Sequence, residues 1–97
     1  VDALVYPSWN YPPALIGDAK GYKGDNSQLI APATGQPAFT VPMGFTVGNL
    51  PAGIQFFGRM LDEPTLIRLF YGYEIQTNRR CAPKHFWAIG QFGTIQR

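Results

Sequence analysis

The sequence predicts an α/β arrangement, with one buried strand, an antiparallel hairpin and one long helix contributing to a mixed sheet. Three observations predict it. Ala3-Leu4-Val5-Tyr6 is a continuous apolar run ended by Pro7, the pattern of a strand buried on both faces in a helix-covered parallel or mixed sheet. Ala38–Phe45 and Gly53–Gly58 are two β-rich segments separated by turn chemistry at Gly48-Asn49. From Asp62 to about Thr77, apolar residues recur at helical spacing.

Taken in order, the first strand is bounded by Asp2 and by Pro7-Ser8. Residues 7 to 37 are turn-rich, with four glycines and five prolines, and a loop of this length calls for a function or a surface to wrap. Within it, Asn26 to Ala33 has room for a short helix that Pro32 or Gly35 would end. The second strand places Phe39, Val41, Met43 and Phe45 on one face and Thr40 opposite. Pro42 removes a ladder donor, so it belongs at a bulge or on an unpaired side. The third strand, with Ile54, Phe56 and Phe57, pairs with the second as a hairpin.

The helix has Asp62 as its candidate cap, Glu63 at the positive helix end and Pro64 in the first turn, where a missing N–H costs little. Leu66, Ile67, Leu69, Phe70 and Tyr73 make its buried face. Arg79 and Arg80 suit its last turn, and Pro83 forbids extension. Lys84 to Arg97 has no clear period and reads as an irregular tail.

Composition bounds the rest. Ninety-seven residues allow one domain, and a chain this short is marginally stable alone. Charged residues make up 14%, against about 25% in soluble domains. Aromatic content excludes disorder, and no run has the length of a membrane helix. A net charge of +2 is too weak to argue for nucleic acid. Cys81 is the only cysteine and His85 the only histidine, which excludes an internal disulfide and argues against a zinc site. A reducing, cytoplasmic setting is therefore expected, with no cofactor. The chain opens at Val1 and enters a strand at once, as a piece of something longer would. One helix covers one sheet face, so a strand apolar on both faces predicts surface that must meet other protein.

Candidates for chemistry are few. Ser8 and Ser27 are the serines, and neither sits in a nucleophile elbow. A triad of either with His85 would draw its base from the irregular tail, a poor platform for precise geometry. Lys23 and Ser27 are four apart, but the glycines and acids around them look solvated, whereas a catalytic lysine needs burial. Gly17, Gly21 and Gly24 lack the spacing of a phosphate loop. Arg59 reads either as an anion clamp or as a donor to strand-end or helix-end carbonyls, the second being favoured. Trp9 and Tyr11, just past the first strand's end, either line a pocket or pack the loop. Phe86 and Trp87 suit docking on an apolar surface.

From Asn26 onward a composite pattern emerges. The run NSQLIAPATGQPAFTVPMGFTVGNLPAGIQFFGR, then DEPTLIRLFYGYEIQTNRR, contains P-x-x-G-x-P-A-x-x-V-P-x-G, L-P-x-G-x-Q-x-x-G-R and E-x-x-L-x-R with a late helical Glu74. In this order the blocks closely resemble the C-terminal portion of amidase signature family enzymes, over residues 2 to 83, leaving 84 to 97 as the irregular tail. The resemblance implies a mixed sheet with helices on both faces. It implies hydrolysis of carboxylic amides by a Ser–cis-Ser–Lys triad, with backbone N–H groups holding the oxyanion. Those catalytic residues belong to a Gly/Ser-rich region and a lysine-bearing segment upstream, so none is assigned here.

On this reading the chain completes the sheet, and residues 7 to 30 line the far wall of the substrate pocket, with Trp9, Tyr11 and Asn26 as substrate-binding candidates. The expected partners are the upstream part of the amidase domain and a small-molecule amide, without nucleic acid or membrane. Two alternatives stand beside it: the amidase component of a tRNA-dependent amidotransferase, and a non-catalytic scaffold or interaction remnant.

Overall fold

The computed structural model describes residues 1–24 and 29–84. The irregular-tail expectation therefore falls, from residue 85 on, outside the described residues, as do His85, Phe86 and Trp87. Three strands and two helices follow in the order β1 (Ala3–Pro7), α1 (Ile30–Thr34), β2 (Ala38–Phe45), β3 (Pro51–Gly58) and α2 (Glu63–Thr77). The sheet order is β1-β3-β2, and both pairings are antiparallel.

The hairpin is the expected one. Thr46 and Leu50 close its loop by a 2.8 Å backbone hydrogen bond, and Gly48 and Asn49 take left-handed φ values of 79° and 60°. Beyond the hairpin, β3 becomes the central strand because β1 pairs along its other side, with Tyr6 opposite Gln55. Pro42 lies where the register slips between Pro42 and Gly44. The extra residue, Met43, ends the simple alternation. Phe45 thus falls on the face opposite Phe39 and Val41, not on the same face as the sequence suggested.

Helix α2 packs on the face that carries Phe39, Val41, Ile54 and Phe56. Val41, Phe56 and Leu66 form the buried cluster, flanked by Ala3, Phe39, Ile54, Phe70 and Tyr73. Phe39 and Phe70 stack with centroids 5.0 Å apart, and Tyr73 meets Phe56 edge-on at 5.9 Å. Gly58 lets Leu66 seat: a Cβ there would lie 2.7 Å from Leu66 Cγ. Ile67 and Leu69, expected on the buried face, are 47% and 40% exposed. The sheet beneath is three strands wide, so only the narrow stripe at i, i+4 and i+7 reaches it.

Three further expectations are corrected. Leu4 and Val5 are each about half exposed, so β1 is an edge strand here, not one buried on both faces. Among the described residues it has one neighbour, and α2 lies over β2 and β3. Asp62 precedes α2 but its carboxylate makes no capping bond; its backbone oxygen accepts from Leu66 N–H at 3.4 Å. Arg79 and Arg80 lie beyond the last turn, because Asn78 turns left-handed (φ 46°) and ends the helix at Thr77. Of the two stops open to α1, the chain uses Gly35, with φ 73°, and not Pro32.

Candidate functional site

The sheet face turned away from α2 carries the polar chemistry. Register places Leu4, Phe57 and Ala38 in one row across it, and Tyr6, Gln55 and Thr40 in the next. Gln55 is buried, and its Nε2 donates to the Tyr6 hydroxyl at 3.3 Å. Burial raises the Tyr6 phenol above its ordinary 10.0, and the Gln55 hydrogen bond partly offsets this. One step along, Ser8 Oγ donates to Thr40 Oγ1 at 3.1 Å. Gly53 makes room for that pair, since a Cβ there would lie 2.7 Å from Thr40 Cγ2 and 3.0 Å from Ser8 Oγ.

Chemically this is a neutral strip. Its amide and hydroxyl groups can hold a polar ligand, but Ser8 gives its hydrogen bond to a second neutral hydroxyl, which takes no proton from it. Tyr6, Ser8, Thr40 and Gln55 carry no shared motif in the sequence that would mark them as a set. The available signal was Gln55, a polar residue on the opposite face from Ile54 and Phe56 in an otherwise apolar strand.

Beside the strip, the loop after β1 closes on itself. The Trp9 indole N–H donates to the Lys23 carbonyl at 3.2 Å, and its ring meets Tyr22 edge-on with centroids 5.4 Å apart. Gly24, at φ 90°, approaches so closely that a Cβ would lie 2.5 Å from Tyr11 Cβ. The structure thus brings Trp9 and Tyr11 to one loop cluster, with Trp9 partly buried and Tyr11 exposed. Asn26 lies outside the described residues, as does Ser27, the candidate partner of Lys23.

Arg59 sits near the other end of β3. Its Nη2 donates to the Val1 carbonyl at 2.8 Å and lies 3.6 Å from the Asp2 carboxylate. An adjoining cleft of about 390 Å³ is lined by Asp2, Arg59, Asp62, Thr65, Arg68 and Leu69. Two carboxylates balance two guanidinium groups there, so it is no anion clamp; Arg59 serves a carbonyl, that of Val1 ahead of β1 and not one at the end of a strand or helix. Among the described residues, no group of three His, Cys, Asp or Glu side chains could hold a metal, and no helix is long and apolar enough to cross a membrane.

Comparison with known proteins gives the chain its relatives. It is similar to a subunit of the glutamyl-tRNA(Gln) amidotransferase of Myxococcus xanthus, 37% identical over 90 residues that cover 86% of this chain and 18% of that protein. The same subunit from Methanosarcina acetivorans is 36% identical over 83 residues, covering 80% of this chain and 17% of the relative. That from Brevibacillus brevis is 32% identical over 94 residues, covering 92% and 19%. No family model and no solved structure matches. The chain therefore spans about a fifth of the length of the curated relatives it matches. The composite motif and this run of matches agree, and the chain belongs, as a match to its C-terminal portion, to the amidase signature family.

Proposed function

We propose that residues 1–83 act as the C-terminal segment of an amidase that hydrolyses carboxylic amides through a Ser–cis-Ser–Lys mechanism, its catalytic residues lying upstream of the matched segment. The observation that carries this reading is the similarity over nine-tenths of the chain to subunits whose name declares amide-nitrogen transfer. The chain's own part is architectural: β2, β3 and α2 supply one layer of a sheet that the rest of the domain extends and covers with helices on its other face. The loop bearing Trp9, Tyr11 and Asn26 forms the far wall of the pocket for a small amide, in a cytoplasmic enzyme without cofactor.

A second reading has a specific observation behind it. The relatives named above are subunits of a tRNA-dependent amidotransferase, so this segment equally serves an amidase component whose companions are other subunits. One experiment tests both. The chain is combined with the Myxococcus xanthus protein lacking its matched segment, and hydrolysis of glutamine and of simple aryl and aliphatic amides is followed. Turnover of any amide that requires this chain supports the proposal, and glutamine preference selects the second reading. An assembled pair that hydrolyses none of them overturns both.

A further inference from the structure

The two edges of the sheet are not equivalent, and the hydrogen-bond phase shows how. Ser8 N–H donates to the Gly53 carbonyl at 2.9 Å, so the alternate residues Tyr6 and Leu4 also point their backbone groups at β3. Ala3 and Val5 therefore point theirs outward. The phase on β3 agrees: Gly58 N–H turns to the other side and donates to the Pro37 carbonyl at 3.0 Å. On β2, Phe39 and Val41 consequently face β3, and Ala38, Thr40 and Pro42 face out.

The β2 edge is blunted. Pro42 has no N–H at its outward position, the bulge at Met43 follows at once, and Thr40 lies exposed between them and Ala38. The β1 edge has none of these devices before Pro7. It offers the N–H and carbonyl groups of Ala3 and Val5 in succession, with no charge and no bulge. Leu4 and Val5, on opposite faces of that strand, are 53% and 50% exposed. A strand that shows apolar side chains on both faces beside an edge open among the described residues lacks, among them, a lateral neighbour as well as cover. The relatives are about five times longer than the matched segment, so their remaining chain is ample to supply one.

We infer that the sheet grows at β1 and not at β2: a strand from the remainder of the amidase signature domain pairs with the outward backbone groups of Ala3 and Val5. The inference rests on the proposed function and adds the edge that receives the partner. Pro7 limits the ladder to those two donors, so the incoming strand spans about four or five residues.

Amide exchange tests it, using the 97-residue chain assembled with the Myxococcus xanthus protein lacking its matched segment. In the assembly, exchange at Ala3 and Val5 should be slower, relative to their intrinsic rates, by about 100-fold or more than at the outward-facing Ala38 and Thr40. Recovered amide turnover with Val5 exchanging as freely as Thr40, or with Thr40 protected in its place, overturns the edge assignment and leaves the functional reading standing. Failure of the two parts to assemble overturns the inference together with that reading. Proline variants give a second measurement, since Pro7 and Pro42 already occupy outward positions of the same phase. Val5→Pro should weaken assembly at least about tenfold and Ala38→Pro, at an outward position of β2, should leave it unchanged. The reverse order would place the junction at β2.

Discussion

Leu66 is the residue on which the layer turns. It is fully buried, against Val41 and Phe56, and it sits over the bare Cα of Gly58. Leu66→Ala should cost about 2–5 kcal/mol, read as a shift in denaturant midpoint where the chain is folded; a loss near zero would mean that α2 presents another face. Tyr6 gives a pH-dependent counterpart. Because its folded-state pKa is raised, the folded chain keeps the phenolic proton after the unfolded chain has released it. That contribution is complete below pH 10.0 and is lost as pH rises through the folded value. The stability lost between about pH 9 and about pH 11 should therefore be smaller in Tyr6→Phe than in the parent. An equal loss in both would show that the phenol has no part in it. Leu66, Phe70 and Tyr73 were legible because their spacing is helical and their partners alternate along strands. The Tyr6–Gln55 and Ser8–Thr40 pairs were not, since each joins residues more than thirty apart and only the sheet register brings them together.

Among the elements, the hairpin and α2 were readable nearly to the residue because their signals are local: Gly48-Asn49, Pro42, and a periodic run opened by Asp62-Glu63-Pro64. Their ends were less so. The stop of α2 depends on Asn78 adopting left-handed φ, which overrode the expectation that Arg79 and Arg80 complete the turn. The β3–α2 turn holds a strained residue, Leu61, at φ 60° with its side chain 82% exposed. Leu61→Gly should raise stability by about 0.5–1 kcal/mol, because the relief of left-handed strain exceeds the added unfolded-state freedom and no packing is lost. A lower midpoint than the parent would show that Leu61 makes contacts that outweigh its backbone cost. The sequence shows that β1 is apolar on both faces but not what covers it: among the described residues it has one pairing partner, and Leu4 and Val5 stay about half exposed, as the apolar surface expected to meet other protein.

At the scale of the molecule, four apolar side chains are buried among the described residues, while Leu4, Val5, Leu15, Ile16 and others face solvent. With a charged fraction of 14%, little opposes association. The chain alone should sediment as a concentration-dependent mixture; a compact monomer at all concentrations with a cooperative melt would show that it closes its own core. Purified, it should hydrolyse no aryl or aliphatic amide. Turnover that vanishes in Ser8→Ala or Ser27→Ala would mean that a serine of this segment is itself a nucleophile.

The antiparallel pairing of β1 with β3 also sets a timetable. Tyr6 and Gln55 are 49 residues apart, so at about 5–20 residues per second a ribosome delivers β1 roughly 2–10 s before its register partner exists. The hairpin and α2 are contiguous and close by short loops, whereas β1 must cross the whole intervening loop to find the sheet. During that interval Ala3-Leu4-Val5-Tyr6 is an uncharged, β-prone segment still without its β3 partner, the form in which nascent proteins are held by chaperones or lost to aggregation.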